Sequence, residues 1–258
     1  MSDVRITTEG HVGIAEICRP PNNFFDKELI GALAAAFDGF AADERIRSIL
    51  LCAEGKNFCA GANFARPAAE TVGDRMPDRG TDHLYRQAVQ LFRSPKPIVA
   101  AVQGAAVGGG LGLSLVADFR VATAESRFTA NFNRLGFHPG FGLSVTLPRV
   151  VGIQQATMLF YTGRRITGEQ AHAIGLVDVL APNDGLREAA LALATEIAQS
   201  APVAVQSTRA TMRRGLADAV EAATTHELAE QQLHFAMADF AEGVKATAER
   251  RLPNFTGH

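Results

Sequence analysis

The chain has 258 residues, a net charge of −2, and 47% hydrophobic against 20% charged residues. These are globular values, which excludes a disordered chain, and the length suits one large domain or a core with a smaller appendage. The near-neutral balance supplies no field to recruit nucleic acid or an anionic membrane, while a local basic pocket for a phosphate stays open.

The opening segments "VRITTEG" and "VGIAEICRP" are rich in Val, Ile and Thr and meet at Glu9-Gly10-His11, which predicts a strand pair. The period then changes: Leu29, Leu33, Phe37 and Phe40 recur at helical spacing, with Asp26 placed to cap the helix. "IRSILLCAEG" reads as a short buried strand, and "KNFCAGANFARP" as a turn-rich loop after it. Residues 68–79 are polar and marked by Gly and Pro, the composition of a mobile loop, and helical spacing returns over Asp82 to Arg93.

"SPKPIVAAVQG" is Pro-bounded and β-branched, hence a strand; "GGGLGLSLVAD" is a turn followed by a buried helix; "FRVATAESRFTA" is strand-like again. The uncharged run from Ile98 to Ala117 is long enough for a membrane span, but its glycines, Gln103 and Ser114 fit a buried strand, turn and helix better. Strands alternate with helices as far as Leu180, which implies an α/β core, and from Gly185 the pattern is helical only. We divide the chain into a core over 1–198 and a helical region over 199–258.

Most functional motifs are absent. GxGxxG would need glycine at Leu113 or Leu115, and neither GxxxxGK[ST] nor GxSxG occurs. The seven histidines are scattered, which predicts no metal site. Cys18, Cys52 and Cys59 form no CxxC pair, so small buried thiols in a reduced, cytoplasmic protein are expected. The polar start carries no apolar leader segment. Two backbone features are left: Cys59-Ala60-Gly61-Ala62 after a strand, and Gly108-Gly109-Gly110 opening a helix. N–H groups from two such loops suit an oxyanion hole. Tight helix–strand packing also favours small residues there.

The combination of "KNFCAGAN", "PKPIVAAVQGAAVGGG", "LVADFRVATAESRF", "YTGRRITGEQAHAIGLVD" and "FAEGVKATAERRLPNFTGH" resembles the enoyl-CoA hydratase/isomerase family, the crotonase superfamily, over essentially the whole chain. The resemblance implies a spiral of ββα units with a C-terminal helical trimerisation region, hence self-association as a trimer or hexamer. It implies acyl-CoA ligands, no further cofactor, and an oxyanion hole from the backbone N–H groups of Ala62 and Gly109. The CoA moiety is expected along the loop of Lys56, Phe58 and Ala60.

The chain departs from the family where hydration chemistry resides. The two glutamates that hold water in family hydratases match Gly112 and Phe132, and the aspartate of dienoyl isomerases matches Gly140. None of these transfers a proton, so ordinary hydration is expected to be weak or absent. His138 is the replacement acid/base that the sequence offers, with hydrogen bonding to backbone as its plain alternative. Phe132, Phe137 and Phe141 shape an apolar acyl pocket or are core. Asp118 reads as structural, and His83 and Tyr85 as helix surface or core beside the acyl pocket. The readings carried forward are an acyl-CoA enzyme working through an enolate, a non-catalytic acyl-CoA binder, and, last, a thioester hydrolase.

Overall fold

The computed structural model describes residues 3–64 and 83–258. The loop expected to be mobile over 68–79 lies outside them. β1 (Val4–Glu9) and β2 (Val12–Ile17) form the predicted antiparallel hairpin, closing at Glu9 opposite Val12. α1 (Lys27–Ala42) follows, with the Asp26 side chain accepting from the Leu29 N–H at its start. Leu29, Leu33, Phe37 and Phe40 are buried, as their spacing requires.

The next units repeat one plan. β3 (Ser48–Ala53) enters the large sheet, Cys59 bridges to a small sheet, and α2 (Leu84–Arg93) follows. β4 (Ile98–Val102) and β5 (Ala105–Val107) then divide between the two sheets before α3 (Gly109–Ser114). The segment that reads as one strand after Asp118 is two, β6 (Phe119–Ala122) and β7 (Arg127–Thr129). The turn between them moves the chain from the large sheet to the small one. α4 (Leu143–Thr162), β8 (Arg165–Thr167), α5 (Gly168–Ala173), β9 (Val179–Leu180) and α6 (Leu186–Gln199) complete the core.

The large sheet runs β1-β2-β3-β4-β6-β9 and is parallel from β2 onward; the small sheet runs β5-β7-β8. β2, β3 and β4 are buried along their whole length because both faces of the large sheet are covered. Ala15, Ile17, Ile49, Leu51, Ala100 and Val102 face the main core. Ile14, Leu50, Cys52, Val99 and Ala101 face Leu186, Ala190 and Ala194, the small-residue stripe of α6. Burial pushes the Cys52 and Cys59 thiols up to about 12, so both stay protonated, as unreactive core thiols do.

The terminal helices α7 (Pro202–Met212), α8 (Leu216–Phe235) and α9 (Ala238–Ala248) are tied back to this core. Asp118 is the main fastener. Its carboxylate accepts from Arg209 at 2.8 Å, Arg213 at 2.7 Å and the Ile98 N–H at 2.8 Å, joining α7 and the residue beyond it to the start of β4. α9 sits on the turn over Asn133–Leu135 so closely that a Cβ at Gly243 would lie 2.5 Å from the Leu135 carbonyl carbon. Among the described residues, no helix is long and apolar enough to cross a membrane.

Burial alone would raise the Asp118 pKa, but the two guanidinium charges and its hydrogen bonds outweigh it and hold the carboxyl below its ordinary value. A depressed folded pKa contributes stability at neutral pH that is lost as pH falls from the unfolded value of about 3.9 through the folded one. Asp118→Asn strands two largely buried guanidinium groups, so chemical denaturation at pH 7 should show a loss of about 3–5 kcal/mol, shrinking as pH falls below about 4.

Candidate functional site

Two loops meet where β3 and β5 end. The Cys59 N–H donates to the Ala105 carbonyl at 3.0 Å, and the Val107 N–H donates back to the Cys59 carbonyl at 3.0 Å. Contact beyond this bridge is backbone on backbone. A Cβ at Gly110 would stand 2.0 Å from the Cys59 carbonyl oxygen, and one at Gly61, which has φ +81°, 2.7 Å from that of Val107. The same Gly61 position is 3.9 Å from the Gly109 nitrogen, so the two glycine-containing turns are neighbours. Gly109 opens α3, where an N–H has no carbonyl one turn behind it. Among the described residues, neither the Ala62 nor the Gly109 N–H is bonded to a protein acceptor.

Both residues line a cavity of about 370 Å³, within the range of small-molecule sites. Its walls carry many aromatic side chains: Phe24, Phe25, Phe64, Phe132, Phe137, Phe141, Phe235 and Tyr85. Phe137 is the hub, with ring centroids 5.4 Å from Phe132, 5.9 Å from Phe64 and 5.2 Å from Phe235. Among the described residues, no carboxylate lines the cavity, and no group of three or more His, Cys, Asp or Glu is placed to hold a metal ion.

Two neighbouring positions explain how the acid-free wall is filled. Phe141 has φ +64°, rare for a bulky side chain, and it packs onto Gly112. A Cβ at Gly112 would lie 2.7 Å from Phe141 Cδ1 and 3.0 Å from its Cβ. At Gly140 a Cβ would lie 2.0 Å from the Tyr85 hydroxyl and 2.4 Å from Gln231 Nε2. The Tyr85 hydroxyl donates to Gln231 Oε1 at 2.9 Å, and Gln231 Nε2 donates to the His138 carbonyl at 2.9 Å. Glu227, one turn earlier on α8, accepts from the N–H groups of Gly142 at 2.7 Å and Ser144 at 3.0 Å. It therefore caps α4, although burial pushes its pKa up.

The structure gathers Ala60, Ala62, Gly109, Phe132, Phe137 and Phe141 around the cavity. His138 is not among the residues that line it. Its ring stacks 6.5 Å from His234 and lies 5.7 Å from His226, both on α8, and its Nδ1 donates to the Pro139 carbonyl at 2.7 Å. Phe58 is fully buried and supports its loop from beneath. Lys56 is exposed beside a second cleft, shared with Gln103, Arg127 and Arg165, that meets the cavity at Val107.

His83 and Tyr85 line the cavity, where the sequence suggested helix surface or core. Sequence reasoning missed Glu227, Gln231 and Phe235. They recur every four residues on α8, on the face that buries Val220 and Thr224, so polar residues at core-facing positions were the available signal.

A family model described as enoyl-CoA hydratase/isomerase matches residues 7–258. A putative enoyl-CoA hydratase of Thermus thermophilus is 34% identical over 96% of this chain and 98% of its own. The 1,2-epoxyphenylacetyl-CoA isomerase of Escherichia coli is 31% identical over 91% of this chain and 90% of its own. A crystal structure of an enoyl-CoA hydratase/isomerase from Pseudoalteromonas atlantica superposes with a TM-score of 0.87 at 30% identity, covering 99% of this chain and 100% of that one. Its fold is that of this chain.

The packing at Gly112 makes a direct prediction. Gly112→Glu should destabilise the protein by about 1–3 kcal/mol in denaturant melts, because Phe141 occupies the space. Adding Phe141→Ala should recover part of that loss, measured as non-additivity in a double-mutant cycle.

Proposed function

The chain belongs to the enoyl-CoA hydratase/isomerase family, and from that premise we propose that it holds an acyl-CoA thioester carbonyl between the Ala62 and Gly109 N–H groups and stabilises its enolate. The single observation that carries this reading is the pair of unengaged N–H donors on adjoining loops at the wall of one apolar cavity. An enolate oxygen carries more negative charge than the ground-state carbonyl, so fixed donors lower the barrier to passing an α-proton to solvent water, which returns a proton, or in D₂O a deuteron, to the same carbon. The acyl chain takes the aromatic cavity. The CoA moiety runs past Ala60 toward Lys56, where Arg127 and Arg165 add positive charge for its phosphates. Relatives named as hydratases and an isomerase of CoA thioesters support this ligand class.

Hydration is not the reaction proposed. Gly112 and Phe132 stand where the family resemblance puts the water-holding glutamates, and Phe141 fills the space beside Gly112. Among the described residues lining the cavity, only His83 and Tyr85 carry ionisable side chains, and His138 is not among the lining residues, so its position gives a proton role no support. The same absence of a carboxylate favours a second reading, an acyl-CoA binder without turnover. Trimer-based self-association belongs to the proposal too, and exposed Ile153 and Tyr161 on α4 with Val203 and Met212 on α7 are apolar surface suited to it.

One panel separates the readings. Enoyl-, β-hydroxyacyl- and saturated acyl-CoAs are incubated with the protein in D₂O and analysed by mass spectrometry. Deuterium at the α-carbon, with crotonyl-CoA hydration below about 1 s⁻¹, is the expected result. Binding without exchange selects the carrier. Hydration at ordinary enzymatic rates contradicts both.

A further inference from the structure

Besides Asn63, Asn131 and Thr247, the cavity wall has polar side chains at one corner, where His83, Tyr85 and Gln231 come together. His83 is the N-cap of α2, and its Nδ1 accepts the Tyr85 N–H at 3.1 Å. To accept, Nδ1 must present a lone pair, so the proton of the neutral ring resides on Nε2. The ring is kept neutral at physiological pH. Burial pushes its pKa below the ordinary value, and Arg86 on the same helix and Lys27 on α1 add like charge. His83 is therefore a hydrogen-bond donor beside the cavity, not a base, and its Nε2 is covered.

That donor is unused. His83 is 9% exposed, and among the described residues its Nε2 has no hydrogen-bond partner. Capping α2 needs Nδ1 alone and gives no reason for Nε2 to stay unpaired. An orphaned buried donor is costly unless something else accepts from it. The corner around it is ordered: the Tyr85 ring stands edge-on at 4.8 Å, and its hydroxyl is held by Gln231 in the space left by Gly140.

We infer that this corner reads the acyl group, with the His83 Nε2–H donating to a carbonyl or hydroxyl oxygen on the acyl chain. The preferred ligand is then an oxygenated acyl-CoA thioester rather than a plain saturated one. The inference rests on the acyl-CoA reading of the cavity.

Calorimetric titration with octanoyl-CoA and its β-keto and β-hydroxy counterparts tests it. The protein should bind at least one oxygenated thioester about tenfold or more tightly than octanoyl-CoA, because only that ligand pairs the buried donor. His83→Asn keeps a good N-cap while removing the ring donor, and should bring the ratio to about one. Equal affinities in the unmutated protein, or a ratio preserved in His83→Asn, would overturn the inference and leave the acyl-CoA reading standing. Failure of every thioester to bind would overturn both. Long-range ¹H–¹⁵N spectra of the unmutated protein check the premise without any variant: a proton on Nδ1 instead of Nε2 excludes the donor role.

Discussion

The contact on which the site depends is backbone against backbone, between the loop at Cys59–Gly61 and the one at Val107–Gly110. At 2.0 Å from a virtual Cβ of Gly110 to the Cys59 carbonyl oxygen, no side chain fits between them. Phe25 closes the other side, with its ring 2.2 Å from where a Cβ at Gly109 would be. The spacing of the two N–H donors is thus set by main-chain hydrogen bonds and by missing side chains. Donors built this way do not depend on the identity of residues 112 or 132. On the proposed reading, a carbonyl-binding device of this kind stands without any carboxylate in the cavity wall among the described residues.

The helical tail has a second duty beside any role in assembly. Asp118 gathers Arg209 and Arg213 onto the start of β4, and α8 and α9 follow from that anchor. Gln231, Phe235, Val244 and Thr247 then complete the cavity wall. Glu227 on the same helix caps α4 through Gly142 and Ser144. The region separated at residue 199 on composition is therefore continuous with the core at the site, and one buried carboxylate holds two arginines some ninety residues away along the chain, just ahead of the helices that carry this wall.

Much of the fold was legible because its signals are local. The period of α1, its Asp26 cap, the buried runs of β3 and β4, and the glycine turn before α3 all follow from neighbours in sequence. The division of "FRVATAESRFTA" between two sheets was not legible, since the buried Ser126 and Thr123 that turn the chain look like ordinary strand residues. At the site, the small residues of both loops signalled close approach, and the resemblance supplied the assignment to Ala62 and Gly109. Which polar groups face the cavity was harder. His138 and His83 are equally plausible as letters, and only tertiary packing sends one ring toward α8 and the other to the cavity wall. Gln231 and Glu227 were hidden because their pairing partners lie about ninety to one hundred and fifty residues distant.

The central claim is that the Ala62 and Gly109 N–H groups grip a thioester carbonyl. The most direct measurement is the ¹³C resonance of a saturated acyl-CoA labelled at that carbonyl, free and bound. Two donors polarise the C=O bond, so the bound resonance should move downfield of the free one. A bound thioester whose carbonyl resonance stays at its free position would contradict the account.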